Sequence, residues 1–274
     1  MKADAQKTGR RNRLPRPLLA AVLLLCLAAG GCLEGKESAV NDLDQARTAF
    51  MKRNYLEAEK AFERYLRANP SGTERWETWK SLVHIALTVR HDRRSALELL
   101  ETMRVEYDAE PEKRREVELF LAAQYRLDGK YDRAEALWEG VAEDGKAGPE
   151  VKAQAYRDLA DIYLHRLEFE RAKEALNNCL GMGAVSQALR AQCLYDMSEV
   201  YMATEETEAA AEQLRALLTL QDIPNELRLI STFMLADTIE PQDPEAAKAL
   251  FESIRGEYPN HKVIEKRLEA LDKR

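Results

Sequence analysis

The chain has 274 residues, of which 45% are hydrophobic, 32% are charged and 7% are aromatic, and its formal net charge is −7. This apolar fraction is sufficient for a folded core, which excludes a wholly disordered chain, and the acidic balance argues against sequence-independent binding to nucleic acid. Only 12 Gly and 9 Pro residues occur. Low Gly and Pro content with abundant Ala, Leu, Glu, Lys and Arg favours helices over a β-sandwich or barrel.

The segment 1–31 has the pattern of an export signal. Six basic side chains lie within residues 1–17, and an unbroken apolar run follows over residues 18–29. A helix of this length rises about 18 Å, which is too short for a hydrocarbon core about 30 Å thick. Small residues at 28–31 then precede Cys32. These features predict a cleaved secretory signal over residues 1–31.

The sequence Ala28-Ala29-Gly30-Gly31-Cys32 resembles a bacterial lipobox. That resemblance implies cleavage before Cys32 and a diacylglycerol group on its sulfur, with residues 32–38 as a lipidated tether. Ala29 stands where Leu is commonest in the family, so an ordinary secretory signal and a retained membrane anchor stay open as alternatives. Cleavage would remove six basic and one acidic side chain and leave a net charge of −12, which anionic lipid repels. Leu33 resembles the outer-membrane sorting pattern of enteric lipoproteins, so we expect a periplasm-facing protein at the outer membrane.

A 38-residue pattern repeats through the rest of the chain. A small residue, a large residue and a second large residue recur at positions i, i+4 and i+7, which is one face of a helix. The three columns are Ala58, Ala96, Ala134, Ala172 and Ala210; Phe62, Leu100, Trp138, Leu176 and Leu214; and Tyr65, Met103, Val141, Cys179 and Leu217. Upstream, Leu121-Ala122 and Tyr125 recur as Leu159-Ala160 and Tyr163, then as Met197-Ser198 and Tyr201. These residues predict a second helix in each repeat, and a period of this length predicts a solenoid.

The third repeat reads Leu121-Ala122-x-x-Tyr125-x-x-x-Gly129-x-Tyr131-x-x-Ala134-x-x-x-Trp138 and resembles the tetratricopeptide repeat (TPR). The first repeat ends at Pro70, where this family usually stops its second helix. The resemblance implies an all-α fold, a right-handed TPR solenoid of about six helix pairs with a C-terminal capping helix. An unrelated helical bundle with similar core columns is the alternative.

We place the solenoid at residues 39–274, with repeats at about 39–72, 77–110, 115–148, 153–186, 191–224 and 229–260 and a capping helix at 261–273. The second repeat is irregular, because His84 occupies the small-residue column and Arg93 the aromatic one. The sixth repeat is displaced by one residue, which we interpret as a deletion in the turn over residues 240–244. One apolar face of segment 261–273 is expected to cover the end of the stack. No composition shift separates two domains.

The sequence has no pattern typical of an enzyme site. Its four His residues, His84, His91, His165 and His261, form no zinc motif with each other or with Cys, and its isolated Gly residues predict no phosphate-binding loop. His84 falls in a core column, which favours a buried or boundary side chain. No arrangement of Ser, His and Asp indicates a nucleophile. We therefore expect no catalysis, no cofactor and no metal.

Two cysteines remain in the predicted mature chain besides Cys32, because Cys26 leaves with the signal. Cys179 lies near the end of one predicted helix and Cys193 within the next, antiparallel helix, so both face one junction. An oxidising compartment permits a disulfide between them. A buried reduced pair is the alternative, since Cys179 also fills a core column.

In the TPR family the first helix of each repeat lines a concave groove, which implies that its inner residues contact a partner. The 38-residue step gives four inner rows, and none of them contains Asn, so the Lys and Asn clamp of TPR proteins that hold chaperone C-termini is not expected. The candidate groove residues are Phe50, Met51, Ile85, Arg126, Arg157, Asp161, His165, Tyr195, Glu199, Met202 and Asp237. The early members are mostly apolar, and Asp161, Glu199 and Asp237 form an acidic line. We expect a partner protein segment with basic residues toward the later repeats, and solvated surface charges are the alternative.

These observations predict a lipid-anchored, non-enzymatic TPR scaffold for envelope assembly or secretion, with no nucleic-acid partner. Lipoproteins of similar build include the TPR component of the outer-membrane β-barrel assembly machinery and the TPR pilotins of secretins, and a likeness of fold does not transfer function. An adaptor or regulator of periplasmic cell-wall or polysaccharide enzymes is the alternative. An enzyme with an unrecognised groove site is less favoured.

Overall fold

A computed structural model describes residues 41–273 of the chain, and all of its regular elements in this range are helices. They are α1 over 41–51, α2 Tyr55–Ala68, α3 Arg75–His84, α4 Arg93–Glu106, α5 Pro111–Leu127, α6 Tyr131–Glu143, α7 Pro149–His165, α8 Phe169–Gly181, α9 Gln187–Ala203, α10 Thr207–Leu218, α11 Asn225–Ile239, α12 Pro244–Ile254 and α13 His261–Leu271. Along the chain these helices form six successive pairs followed by α13. The predicted all-α fold class is confirmed.

The predicted export signal, the lipid-carrying Cys32 and the tether over 32–38 lie outside the described residues. Across residues 41–273, none of the helices has both the length and the apolar character needed to cross a bilayer.

Equivalent helices of successive repeats begin 38 residues apart, which is the spacing of the sequence pattern. Helices α2, α4, α6, α8 and α10 begin at residues 55, 93, 131, 169 and 207, and α5, α7, α9 and α11 begin at 111, 149, 187 and 225. The alanine column at residues 58, 96, 134, 172 and 210 is 0% exposed throughout. Its small side chains let neighbouring helices approach, while Trp138, Leu176 and Leu214 fill the adjacent space in the core.

The turn inside each of the first five pairs has the same backbone conformation. The equivalent residues of the five turns, Arg53, His91, Gly129, Leu167 and Glu205, have φ values of 60°, 52°, 71°, 61° and 61°. This left-handed residue closes the short link between the two helices. For example, the amide of Lys130 donates to Tyr125 O at 2.9 Å. Only Gly129 is of a residue type that adopts this conformation without strain.

The chain divides into two compact units, with the division between Leu99 and Leu100. In the first unit, residues of α1, α2 and α3 form a core that includes Ala46, Phe62 and Leu82. In the second unit, α7 packs against α6 and α8, α9 packs against α8 and α10, and the series continues to α13. The division falls inside α4, so no linker marks it in the sequence.

A π-helical turn over Ile85–Val89 accommodates one extra residue in the second repeat. The amide of Arg90 donates to Ile85 O at 3.0 Å, five residues back instead of the four of an α-helix. Upstream of this turn the register is therefore displaced by one residue. With that displacement, the buried residues Leu82, Val83, Ile85 and Ala86 correspond to the buried Leu121, Ala122, Gln124 and Tyr125 of the next repeat.

Two predictions fail because of this extra residue. His84 was expected in a core column, but the displaced register turns its side chain to solvent, where Nε2 lies 3.2 Å from Thr88 Oγ1. Ile85 was expected on the partner groove, but it is only 1% exposed and belongs to the core of the first unit. A π-helical turn has no clear sequence signature, so the shift was not evident from the residues.

The sixth pair shows the one-residue displacement that the sequence indicates. Helix α12 begins at Pro244, one residue earlier than the 38-residue spacing requires. The Asp243 side chain accepts a hydrogen bond from the amide of Ala246 at 3.0 Å and caps this helix. Helix α13 then buries Ile264, Leu268 and Leu271 in a core shared with Phe251 of α12. It therefore covers the last pair.

Cys179 of α8 and Cys193 of α9 are joined by a disulfide, with Cα atoms 6.5 Å apart. Both residues are 0% exposed. The sequence left a disulfide and a reduced pair open, and the structure has the disulfide. It ties the end of the fourth pair to the beginning of the fifth.

Candidate functional site

Six charged side chains on the first helices of three successive pairs interact with one another. They are Arg126 on α5, Arg157, Asp158 and Asp161 on α7, and Asp196 and Glu199 on α9, and we call them the charged face. Asp158 and Asp161 are three residues apart, as are Asp196 and Glu199, so each acidic pair lies on one side of its helix. The two acidic pairs occupy equivalent positions of successive repeats. The repeat itself therefore brings four carboxylates together.

Two ion pairs link neighbouring helices within the charged face. Arg126 Nη1 lies 2.9 Å from Asp161 Oδ2, and Arg157 Nε donates to Asp196 Oδ2 at 2.6 Å. The first contact is an ion pair without hydrogen-bond geometry, so this buried Asp161 oxygen makes no hydrogen bond. In both pairs a guanidinium group on one first helix reaches a carboxylate on the next.

The charged face has four carboxylates and only two guanidinium groups. Burial raises the pKa of Asp158, although the interaction with the Gln154 amide and the charge of Arg157 partly offset this. Burial also raises the pKa of Asp196. Burial, and then repulsion by Asp196, raise the pKa of Glu199. The raised pKa values mean that neighbouring positive charges do not fully offset the cost of burying these ionised carboxylates. Binding of a further positive charge is therefore favoured.

Glu199 differs from the paired carboxylates of the charged face, since among the described residues no cation lies within ion-pair distance of it. Tyr195 lies one turn earlier on α9, and its hydroxyl interacts favourably with this carboxylate. Burial and the charge of Glu199 raise the pKa of Tyr195 to about 12, so this side chain keeps its hydroxyl proton at neutral pH. Tyr258 is close enough to interact electrostatically with Tyr195, and it stacks on Phe233 with ring centroids 5.1 Å apart. An uncompensated carboxylate thus lies in an aromatic neighbourhood.

The predicted acidic line is not a row of equivalent charges. Asp161 is paired with Arg126, and Asp237 is paired with Arg267 of α13. Arg267 Nη1 also lies 3.2 Å from Glu240 Oε2. Of the three acids expected to orient a partner, only Glu199 has no internal counter-charge among the residues that the structure describes. A row read at 38-residue steps could not show Arg267, because that residue lies on the capping helix outside the repeats.

His165 and Met202 lie at the ends of first helices. His165 is exposed, with Nδ1 2.9 Å from Asp161 O and 3.6 Å from Asp161 Oδ1. Its ring lies 5.9 Å from that of Tyr131. Met202 is 38% exposed. Both side chains are accessible, as the prediction of a groove requires.

The apolar candidates in the first unit are less accessible than expected. Phe50 is half-buried, with its ring centroid 5.5 Å from that of Tyr55 and 6.4 Å from that of Phe62. Ile85 is in the core, as described above. Met51 alone of the three is widely exposed, at 76%. The prediction of an apolar groove in the first two repeats is therefore wrong for Ile85 and weakened for Phe50.

The four inner rows did not include two members of the charged face, Asp158 and Asp196. Both belong to a fifth row at the same 38-residue step, which also includes Phe120 and Met234. Phe120 is 42% exposed. The sequence could have indicated these two residues. Their row lies one residue after the row of Arg157 and Tyr195, and one face of a helix is wide enough to include both rows.

The charged face supplies acceptors and guanidinium donors for ion pairs and hydrogen bonds with a bound chain. In the described part of the chain, no group of three or more His, Cys, Asp or Glu side chains is placed to hold a metal ion.

No family model and no curated protein matches the chain, whereas solved structures do. The C-terminal part of a TPR repeat-containing protein from Cytophaga hutchinsonii is 15% identical, covers 78% of each chain and gives a TM-score of 0.56. PilF from Pseudomonas aeruginosa is 12% identical, with 88% of this chain and 99% of PilF covered and a TM-score of 0.55. The quorum sensor NprR from B. thuringiensis is 11% identical, with 87% of this chain and 74% of NprR covered and a TM-score of 0.54. At these identities the likeness establishes the fold alone.

Proposed function

Since this chain has the TPR fold, we propose that it is a protein-interaction scaffold whose charged face binds a segment of a partner protein. The observation that carries the proposal is the surplus of two carboxylates over guanidinium groups within the charged face. Burying carboxylates without full compensation costs free energy. A partner with basic residues would supply the missing positive charge and recover part of that cost.

The surroundings of the charged face fit a peptide better than a small ion. Tyr195 and Phe233 are half-buried aromatic side chains, and Met202 is an exposed apolar one. Aromatic and Met side chains give contact area at protein interfaces, while complementary charge sets the orientation of the partner. The proposed function is therefore non-enzymatic binding of an extended or helical segment.

This proposal is tested by crosslinking in intact cells. A photo-reactive amino acid would replace Tyr195 or Met202, and as a control the exposed Glu212 on the second helix of the fifth pair. Mass spectrometry then identifies the crosslinked protein. We expect one partner from both positions on α9 and none from position 212. Equal capture from all three positions, or none from α9, would contradict the proposal.

The proposal extends to attachment of the scaffold to the cell envelope through lipid on Cys32. Its support is the apolar run over residues 18–29 followed by small residues and Cys32. Cys32→Ser is expected to abolish incorporation of labelled palmitate and to move the protein from the membrane fraction to the soluble periplasmic fraction. Retention of the variant in the membrane fraction would show that another segment holds it there.

A further inference from the structure

On the basis of the proposed function, we infer that the partner segment carries an arginine whose guanidinium group binds Glu199 beside Tyr195. The inference rests on how this chain already binds its own guanidinium groups. It names one carboxylate and one class of ligand, so it can fail while the wider proposal stands.

In the second unit, three Asp side chains bind arginine side chains of the same chain in a similar way. Asp161, Asp196 and Asp237, all on first helices, are each paired with a guanidinium group from another helix. The donors are Arg126 on α5, Arg157 on α7 and Arg267 on α13. Glu199 lies in the row of Asp161 and Asp237, one repeat from each. It is the member of that row whose cation is missing.

The sequence shows why the chain does not supply this cation itself. Arg126 pairs with Asp161 from the preceding first helix. The equivalent of Arg126 in the next repeat is Leu164, which stands in the same relation to Glu199 as Arg126 does to Asp161. An apolar side chain there leaves Glu199 without a partner from α7.

Asp158 is the other carboxylate of the charged face outside an ion pair, and its surroundings differ. Gln154 interacts favourably with it, and the charges of both Arg157 and Arg126 act on it. At Glu199 an attractive charge comes from Arg157, but Arg157 is already bound to Asp196. Glu199 is therefore the stronger candidate for an external cation.

The aromatic neighbours of Glu199 favour a guanidinium group over an ammonium group. A planar guanidinium group can pair with a carboxylate through two N–H groups and also stack on a ring. The same chain contains this arrangement elsewhere, since the guanidinium carbon of Arg171 lies 4.0 Å from the ring centroid of Tyr163 and its Nη2 donates to the Tyr163 hydroxyl at 2.9 Å. At Glu199 the corresponding aromatic residue is Tyr195, which lies one turn earlier on the same side of α9 and interacts with the carboxylate.

The direct test uses two probes of nearly identical shape, N-acetyl-arginine amide and N-acetyl-citrulline amide, of which only the first is charged. Each is titrated into the purified protein while amide resonances are followed by NMR. We expect saturable shifts at Tyr195 and Glu199 with the arginine probe, and about tenfold weaker binding of the citrulline probe, as a charge-assisted hydrogen bond predicts. Equal binding of the two probes, or no saturable shift at these residues, would overturn the inference.

Three variants locate the site. Glu199→Gln removes the carboxylate charge, and Leu164→Arg supplies the internal cation by repeating the Arg126 arrangement one repeat later. Both are expected to weaken binding of the arginine probe at least about fivefold. Glu212→Gln on α10 is the matched control and is expected to leave binding unchanged. If Leu164→Arg fails to fold, Glu199→Gln still decides the question.

The crosslinking and NMR experiments separate two kinds of failure. Capture of a partner from Tyr195 without arginine binding would refute the cation site and leave the scaffold proposal standing. Arginine binding at Glu199 without capture of a partner would support the cation site and refute the scaffold proposal. Binding of N-acetyl-lysine amide as tightly as the arginine probe would overturn the preference for guanidinium.

Discussion

At the scale of single residues, identical positions in the repeat have different electrostatic surroundings. Glu199 and Asp237 occupy equivalent positions of successive repeats, yet Asp237 is paired with Arg267, while no ion pair to Glu199 occurs among the described residues. Burial and the nearest charges set the direction of a pKa shift. Neither of them follows from the position of a residue within the repeat. Function in a repeat protein can therefore depend on the one position where the pattern is incomplete.

Glu199→Gln is expected to stabilise the protein at neutral pH, by less than about 1 kcal/mol because the side chain is only half-buried. The pKa of Glu199 is raised in the folded state by burial and by Asp196. The cost of its charge is therefore fully present above the folded pKa and disappears as pH falls to the ordinary Glu value of about 4.3. Urea unfolding at pH 8, 6 and 4 measures this gain, with Glu212→Gln as control. If Glu199→Gln stabilised the protein more at pH 4 than at pH 8, this explanation would be contradicted.

At the scale of elements, the turns between paired helices reveal a conflict between local preference and the repeat. In the first five pairs a left-handed residue lies at the same point of the turn, and Leu167 and Glu205 adopt this conformation at φ 61°. Such a conformation costs about 1–2 kcal/mol for a residue with a side chain. Packing of the helices therefore determines the length of the turn, even where the residue at this point disfavours the left-handed conformation.

Leu167→Gly and Glu205→Gly are expected to raise stability by about 0.5–1 kcal/mol, because relief of strain exceeds the entropic cost of glycine. Both side chains are exposed, so little packing is lost. Gly129→Ala is the reverse experiment and is expected to lower stability by about 1 kcal/mol, since φ is +71° and no atom lies within 4 Å of an added Cβ. Thermal unfolding measures all three. If the substitutions to Gly and the substitution Gly129→Ala all changed stability in the same direction, the explanation would be refuted.

The disulfide is the second feature at this scale, since it connects α8 to α9. Its cysteines are 14 residues apart in sequence. Closing a loop of this size restricts the unfolded chain, so reduction is expected to lower the free energy of unfolding by about 2–3 kcal/mol. Urea unfolding with and without reductant measures the effect. The double variant Cys179→Ala, Cys193→Ala is the control, and any sensitivity of that variant to reductant would show that the effect lies elsewhere.

At the scale of the whole molecule, the helix pairs of the second unit pack mainly against their immediate neighbours. In the second unit, packing runs from α5 through α12 in sequence order and ends at α13. A stack of this kind leaves an apolar face at its end unless a final element covers it. Helix α13 covers that face with Ile264 and Leu268, and Arg267 on the same helix pairs with Asp237.

Truncation after residue 260 is therefore expected to expose the core around Phe251 and to lower the free energy of unfolding by about 3 kcal/mol, with loss of solubility. Thermal unfolding and size-exclusion chromatography measure these effects. Truncation after residue 272 is the matched control and keeps all three buried side chains of α13. An unchanged melting temperature in the shorter chain would show that α13 contributes no stability.

The sequence by itself determined the all-helical repeat fold, the spacing at which helices begin and the buried alanine column. These follow from periodic patterns of small and large side chains that recur at a fixed spacing, and such patterns are local. It also indicated most residues of the charged face, although Asp158 and Asp196 were outside the four inner rows. The export signal and the lipid on Cys32 stay predictions.

The tertiary structure alone decided which acids are compensated, where the extra residue of the second repeat is accommodated, and which state the two cysteines adopt. Arg267 reaches Asp237 from 30 residues away along the chain, and the π-helical turn at Ile85–Val89 reverses the predicted exposure of Ile85 and His84. Each outcome depends on side chains and backbone meeting across different helices. A repeat pattern fixes which positions are equivalent, but the charge beside each position comes from whatever element packs there.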